Sequence, residues 1–437
     1  MRMDIPFTRQ VLDNGLQVIV HEDHGCPIVA VNLWYHVGSK NEVPGRTGFA
    51  HMFEHLMFEG SEHYDKGYFQ PLQEAGGLLN GSTNADRTNY WEVVPTGALD
   101  VALWMESDRM GYLLPALTPA KFENQREVVL NERRQNYENR PYGLAPMAIL
   151  AALFPPEHPY HWLTIGVPED LRAATLDEVQ RFFAAYYHPR NASLALAGDI
   201  DQAGALELAR RYFGDIPPGP EVAAVHPPAA RLSSEIRLLL EDRVELPRVY
   251  LTWHTPGLFQ PDDAEMDLLA DVLTSGKSSR LYRALVYDQR IATEVAAIQK
   301  SREAAGFFQV IATAAPGRTL QDLLAAIDVE LAKIRAEAPT ADELERATVQ
   351  FEAQFVFGLQ NVGGFGGKSD QLNAYNVFLG TPGWFDDDLA RYSRATTGGM
   401  REAAARYLDA HARVVASVVP RGRPELAVED STPVEPS

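Results

Sequence analysis

His51-Met-Phe-Glu54-His55 is the stretch on which the reading of this chain turns. Residues four apart on a helix stack on one face, and a residue three along lies beside them. The surrounding segment, from about Thr47 to Glu59, therefore reads as a helix with two stripes. Phe49, Met52, Phe53 and Leu56 form an apolar stripe, while His51, Glu54, His55 and Phe58 form a second one of the same spacing. An apolar face that anchors the helix, backed by a His/Glu/His face, is the arrangement a buried metal centre needs. Zn2+ takes imidazole nitrogen and carboxylate oxygen, and a catalytic site commonly uses three protein ligands, leaving room for water. A third ligand must come from elsewhere. The long helix expected from Thr118 to about Tyr137 offers Glu123, Glu127 and Glu132, and spacing alone leaves the choice open.

Outward from this helix, the chain reads as a duplication. A proline-rich stretch, Asp215-Ile-Pro-Pro-Gly-Pro and then His226-Pro-Pro, divides it near the middle. Ala174–Tyr187 is an amphipathic helix running into a strand at Ala192–Ala197, and Ala395–Leu408 runs the same way into Arg413–Val419, offset by about 220 residues. The strands beginning at Pro27 and Pro247 repeat that offset. Thr118-Pro119-Ala120 and Pro339-Thr340-Ala341 each open a long helix. The expectation is an α+β chain of two homologous domains, each a mostly antiparallel sheet covered by helices, related by internal duplication. The expected boundaries are 1–214 for a metal-binding domain, 215–233 for the linker, 234–425 for a homologous domain without metal, and 426–437 for a flexible tail. Length alone would suggest about three domains at ~150 residues each.

Composition narrows the function. The 39 basic and 59 acidic residues give a formal charge of -20, which argues against nucleic acid as a partner. No run approaches the ~18 apolar residues of a membrane span. Met1-Arg-Met-Asp-Ile-Pro lacks the apolar core of a signal peptide, so a cytoplasmic protein is expected, with a periplasmic one left open. The single cysteine, Cys26, reads as a loop residue.

The ordered motifs resemble the pitrilysin/insulinase-type zinc peptidases, in the branch of the mitochondrial processing peptidase. They are Leu12-Asp-Asn-Gly-Leu-Gln-Val, His51–Gly60, Gly76-Gly-Leu-Leu-Asn-Gly-Ser-Thr83, Arg126–Glu132 and Tyr186–Asn191. The resemblance implies that His51, His55 and Glu132 bind one Zn2+ per chain, and that Glu54 is the general base that activates water. It implies an edge strand around Asn80, Gly81 and Ser82 that pairs with substrate backbone. Where the family often has a second acidic residue near the metal, this chain has Gln125. It also implies an arginine and tyrosine seven apart in the second half. Counted from Ser279-Arg280-Leu281, those positions hold Val286 and Thr293, and the nearest matching pair is Arg280 and Tyr287. A heterodimer with a homologous subunit that lacks the histidine motif but supplies the pair is therefore expected, a homodimer being the alternative.

The helix aligned with His51–His55 in the second half carries Asp267 and Asp271, expected to be solvated, and no histidines. Gly363-Gly-Phe-Gly-Gly-Lys368 lacks Walker spacing and reads as a flexible bend or a mobile chamber wall. The expected function is zinc-dependent hydrolysis of peptides or unfolded polypeptides in an enclosed chamber. The rival is a non-catalytic core-type structural subunit of a larger complex.

Overall fold

The computed structural model describes residues 3–435. Six strands form the first sheet: β1 (Thr8–Val11), β2 (Gln17–Glu22), β3 (Ile28–Tyr35), β4 (Leu78–Thr83), β5 (Thr88–Pro95) and β6 (Ala192–Gly198). Six more form the second: β7 (Ile236–Asp242), β8 (Arg248–Thr255), β9 (Ala292–Lys300), β10 (Gly306–Ala314), β11 (Val414–Pro420) and β12 (Thr432–Pro433). The first sheet runs β1-β2-β6-β3-β5-β4 and the second β12-β7-β11-β8-β10-β9. Five consecutive strands of each sheet match in order and sense: one parallel pair, β2–β6 or β7–β11, followed by antiparallel neighbours. Two mixed sheets of one topology are what a duplicated α+β unit produces.

The repeated helices show the same local chemistry. Leu176–Tyr186 starts at Thr175, whose hydroxyl accepts from the Glu178 N–H at 3.3 Å. Thr397–Tyr407 starts at Thr396, whose hydroxyl accepts from the Gly399 N–H at 2.9 Å. Each cap satisfies a backbone donor that the first helical turn leaves unpaired.

The compact units depart from the linear boundaries expected at 214 and 234. The chain forms two units rather than three, and each is assembled from three segments: 1–131, 164–225 and 354–386 in one, 132–163, 226–353 and 387–437 in the other. The reason is an exchange of helices. Lys368–Leu379, late in the chain, packs on β6 and β3 of the first sheet. Its seat is polar: Asn373 Nδ2 donates to the Asn32 carbonyl at 2.8 Å, and Trp34 Nε1 donates to Asp370 at 2.9 Å. Ala145–Leu153, early in the chain, packs on β11 and β8 of the second sheet. Between residues 214 and 235 the linker has no regular structure.

Two local expectations change. The glycine-rich segment is a packed turn rather than a loose bend. A Cβ at Gly363 would lie 2.6 Å from Ala30 and Val93, and Gly364 and Gly366 have φ of +83° and +73°. The Gly366 N–H donates to Asp370 at 2.8 Å. Asp267 and Asp271, on the helix Asp263–Thr274, are half-buried instead of solvated. Asp267 accepts from the Tyr392 hydroxyl at 2.7 Å, and burial pushes its carboxyl up to about 7 despite nearby Arg391, with Asp263 and Asp271 adding repulsion.

A carboxyl whose folded value is raised favours the protonated fold. Its stabilising contribution is present near pH 4 and is lost as pH rises through about 7. Asp267→Asn, neutral throughout, should match the parent's Tm near pH 4 and exceed it by a few degrees at pH 8. A Tm difference independent of pH between these values contradicts this assignment.

Candidate metal centre

The histidine helix spans Phe49–Leu56, shorter than the Thr47–Glu59 expected from periodicity. Gly48 precedes it at φ +88°, where a Cβ would lie 2.8 Å from Leu171, so glycine is required there. Eight residues are too few to hold a helix in isolation. Its apolar stripe supplies the anchor: Phe49, Met52, Phe53 and Leu56 are all buried. Its N-terminus is held by Glu42, a buried carboxylate that accepts from the N–H groups of Gly48 and Ala50, each at 2.9 Å. That anion sits at the positive end of the helix dipole. Two buried tyrosine hydroxyls donate to helix carbonyls, Tyr187 to Ala50 and Tyr90 to Phe53, each at 3.3 Å. Sequence reading missed Glu42 and both tyrosines, since no spacing rule links them to this helix.

His51, Glu54 and His55 are half-buried on the other face. The two imidazoles lie 4.8 Å apart between centroids and are nearly perpendicular at 84°. Glu132, on the helix Pro119–Arg133, completes a group in which one ligand atom from each of His51, His55 and Glu132 lies within 4.8 Å of the others. It is the one potential metal-binding group of three or more His, Cys, Asp or Glu residues among the described residues. Two imidazole nitrogens and one carboxylate oxygen form a donor set suited to Zn2+. Of the three glutamates that spacing left open, Glu132 is the one in this group, while Glu123 and Glu127 are exposed and outside it.

The surroundings orient these groups. Asn136, in the π-helical segment Arg134–Glu138, donates to Glu132 at 3.2 Å. Asn136 is four residues beyond Glu132, the spacing that brings neighbours together on one helix face, so its amide is placed to orient that carboxylate. Gln125 is buried, but it donates to Glu59, just past the histidine helix, and not to a ligand. Burial pushes the Tyr90 and Tyr187 hydroxyls up, and the Glu54 carboxylate adds to that rise, so both phenols stay neutral and act as donors.

β4 is the open edge of its sheet. The Asn84 N–H donates to the Arg87 carbonyl at 3.0 Å and closes the β4–β5 hairpin. Antiparallel alternation then makes Ser82–Asn89, Asn80–Trp91 and Leu78–Val93 the hydrogen-bonded pairs. The main-chain groups of Leu79, Gly81 and Thr83 face the open edge. The set expected to meet substrate is Asn80, Gly81 and Ser82. Of these, Gly81 alone presents its backbone outward, and its N–H is held by Asn80 Oδ1 at 2.8 Å. The Ser82 hydroxyl is tied to Asn89 at 2.7 Å, and its carbonyl accepts from Arg87 at 2.8 Å. On the histidine-helix face, a Cβ at Gly81 would lie 3.1 Å from Phe58.

In the second half, Arg280 is engaged by Glu343 through two hydrogen bonds of 2.8 and 2.7 Å. Tyr287 is 70 % exposed. Val286 has no donor, and the Thr293 hydroxyl faces the Thr313 carbonyl at 3.4 Å.

Residues 17–158 match the family described as insulinase (peptidase family M16), and residues 173–350 match the peptidase M16 inactive domain. The zinc protease PqqE of Helicobacter pylori is 30% identical over 355 residues, covering 80% of this chain and 79% of that protein. The probable mitochondrial-processing peptidase subunit beta of Arabidopsis thaliana is 24% identical, covering 81% of this chain and 68% of that protein. The crystal structure of a protease from Helicobacter pylori superposes with a TM-score of 0.87 at 27% identity, covering 95% of this chain and 100% of that one.

Single changes separate ligands from bystanders. His51→Ala, His55→Ala and Glu132→Gln should each abolish stoichiometric zinc in metal analysis of the purified protein. Glu123→Gln and Glu127→Gln should retain it, and Asn136→Ala should weaken affinity by roughly 10–100-fold. Full zinc in Glu132→Gln contradicts the ligand set.

Proposed function

Because the chain belongs to the insulinase-type peptidase family M16, and because His51, His55 and Glu132 converge beside Glu54, we propose that it is a zinc-dependent endopeptidase subunit acting on peptides or unfolded polypeptides. The convergence of the three ligand side chains carries this reading. One Zn2+ held by them would supply Lewis-acid polarisation of the scissile carbonyl and of water. Glu54, on the same helix face, takes the proton from the attacking water and returns it to the leaving amine. The open edge of β4 binds extended substrate through the backbone of Leu79, Gly81 and Thr83, the Asn80 side chain giving up the Gly81 N–H to a substrate carbonyl. Main-chain pairing tolerates many sequences, which suits an enzyme for unfolded chains.

An arginine/tyrosine pair for the developing oxyanion is not formed at the positions expected of it, since Arg280 is held by Glu343 and Val286 offers nothing. Losing such a donor typically costs ~10²–10³ in rate. We therefore assign this chain as the zinc-carrying half of a heterodimer whose homologous partner supplies the pair and closes the chamber. The homodimer is the alternative. The rival reading, a structural subunit, leaves the converged ligand triad without a purpose.

Glu54→Gln should retain stoichiometric zinc and lose cleavage of quenched peptides by ~10²–10⁴-fold. Cleavage at the parent rate sinks the mechanism. Adding a homologous chain that carries the arginine and tyrosine should raise kcat by at least ~10²-fold. Full activity of this chain by itself contradicts the heterodimer.

A further inference from the structure

The face of the first sheet opposite the histidine helix holds a feature that zinc chemistry does not use. The register places Leu78, Asn80 and Ser82 of β4 on the same face as Val93, Trp91 and Asn89 of β5. The glycine-rich turn covers part of that face, with Gly363 too close to Ala30 and Val93 for any side chain. Between turn and sheet lies a cavity of about 430 Å3, lined by Cys26, Ile28, Leu78, Trp91, Val93 and the segment 360–364. That volume is within the range of small-ligand pockets, roughly 300–1,000 Å3.

Three observations define what this cavity takes. Its wall is mainly apolar, and its one carboxylate, Asp23, is neutralised by Lys368 at 2.5 Å. Leu78 is 69 % exposed on the edge strand, where solvated edges ordinarily carry charge. The Trp91 ring meets Phe365 of the glycine-rich turn edge-on, with centroids 5.5 Å apart, so aromatic carbon joins sheet and turn beside the cavity. An extended peptide laid along β4 directs every second side chain to this face, next to Leu78.

We propose that this cavity is a specificity subsite for the substrate strand, admitting a bulky apolar side chain such as Leu, Met or Phe and rejecting charged ones. The proposal rests on the reading that substrate binds along β4. Alternate substrate positions then face different chemistry: one set faces the metal side, the other faces the glycine turn. Gly363 and the tethering of Gly366 to Asp370 fix the height of the roof.

Cys26 provides the test, being the one cysteine of the chain, exposed, and part of the wall. The full chain carrying Glu54→Gln is loaded with zinc and mixed with uncleaved fluorescent peptides that differ only in having Leu or Asp at alternate positions. Anisotropy reports binding, and the rate of Cys26 modification by a small aromatic disulfide reports occupancy of the cavity. The Leu peptide should bind at least ten-fold more tightly than the Asp peptide and slow the modification at least ten-fold at saturation. Leu78→Asp, at an exposed position, should remove that preference with an unchanged Tm. Tight binding of the Leu peptide with unaltered Cys26 reactivity, and with no effect of Leu78→Asp, overturns the subsite while leaving β4 binding intact. Binding of neither peptide overturns the edge-strand reading and the subsite with it.

Discussion

Everything chemical in this chain depends on holding one eight-residue helix, Phe49–Leu56, in place. A helix of that length contributes little stability of its own, so packing and end contacts must fix it. Phe49, Met52, Phe53 and Leu56 bury one side, Glu42 holds the N-terminal amides, and Tyr187 and Tyr90 bind two of its carbonyls. With its rotation set in this way, His51, Glu54 and His55 have one direction to face. Glu132 needs no comparable framework, because its 15-residue helix reaches the site from a separate part of the chain.

The same sheet that supports the helix also provides the open edge strand proposed to bind substrate. β5 carries Tyr90 toward the histidine helix and Trp91 toward the glycine turn, as the two-residue alternation of a strand requires. β4 lies outside β5 with its outer backbone groups open. Histidine helix, edge strand and cavity are thus linked through adjacent residues of two strands, and a one-residue slip of β4 would exchange the positions of Asn80 and Gly81.

What the sequence disclosed was periodic or repeated. The i, i+3, i+4 pattern revealed the histidine helix, and the constant offset revealed the duplication, because both follow from the geometry of a regular element. The family resemblance singled out Glu132, whose carboxylate lies in one group with His51 and His55. What stayed hidden depends on three-dimensional packing. Glu42 lies six residues before Gly48 and caps the helix from a turn, outside any N-cap rule. The swap of Lys368–Leu379 for Ala145–Leu153 leaves no mark in either helix's own pattern, so linear boundaries drawn at the linker misplace both. Asp267 looks like an ordinary surface aspartate until Tyr392 and the neighbouring helices enclose it.

The central claim is a single Zn2+ held by two histidines and one glutamate. X-ray absorption at the zinc edge of the purified parent chain tests it most directly. One equivalent of zinc with two imidazole nitrogens and carboxylate or water oxygen in its inner sphere, and no sulfur, is the predicted result. A chain that retains no zinc when purified in its presence, or a spectrum with fewer than two imidazoles, would contradict it.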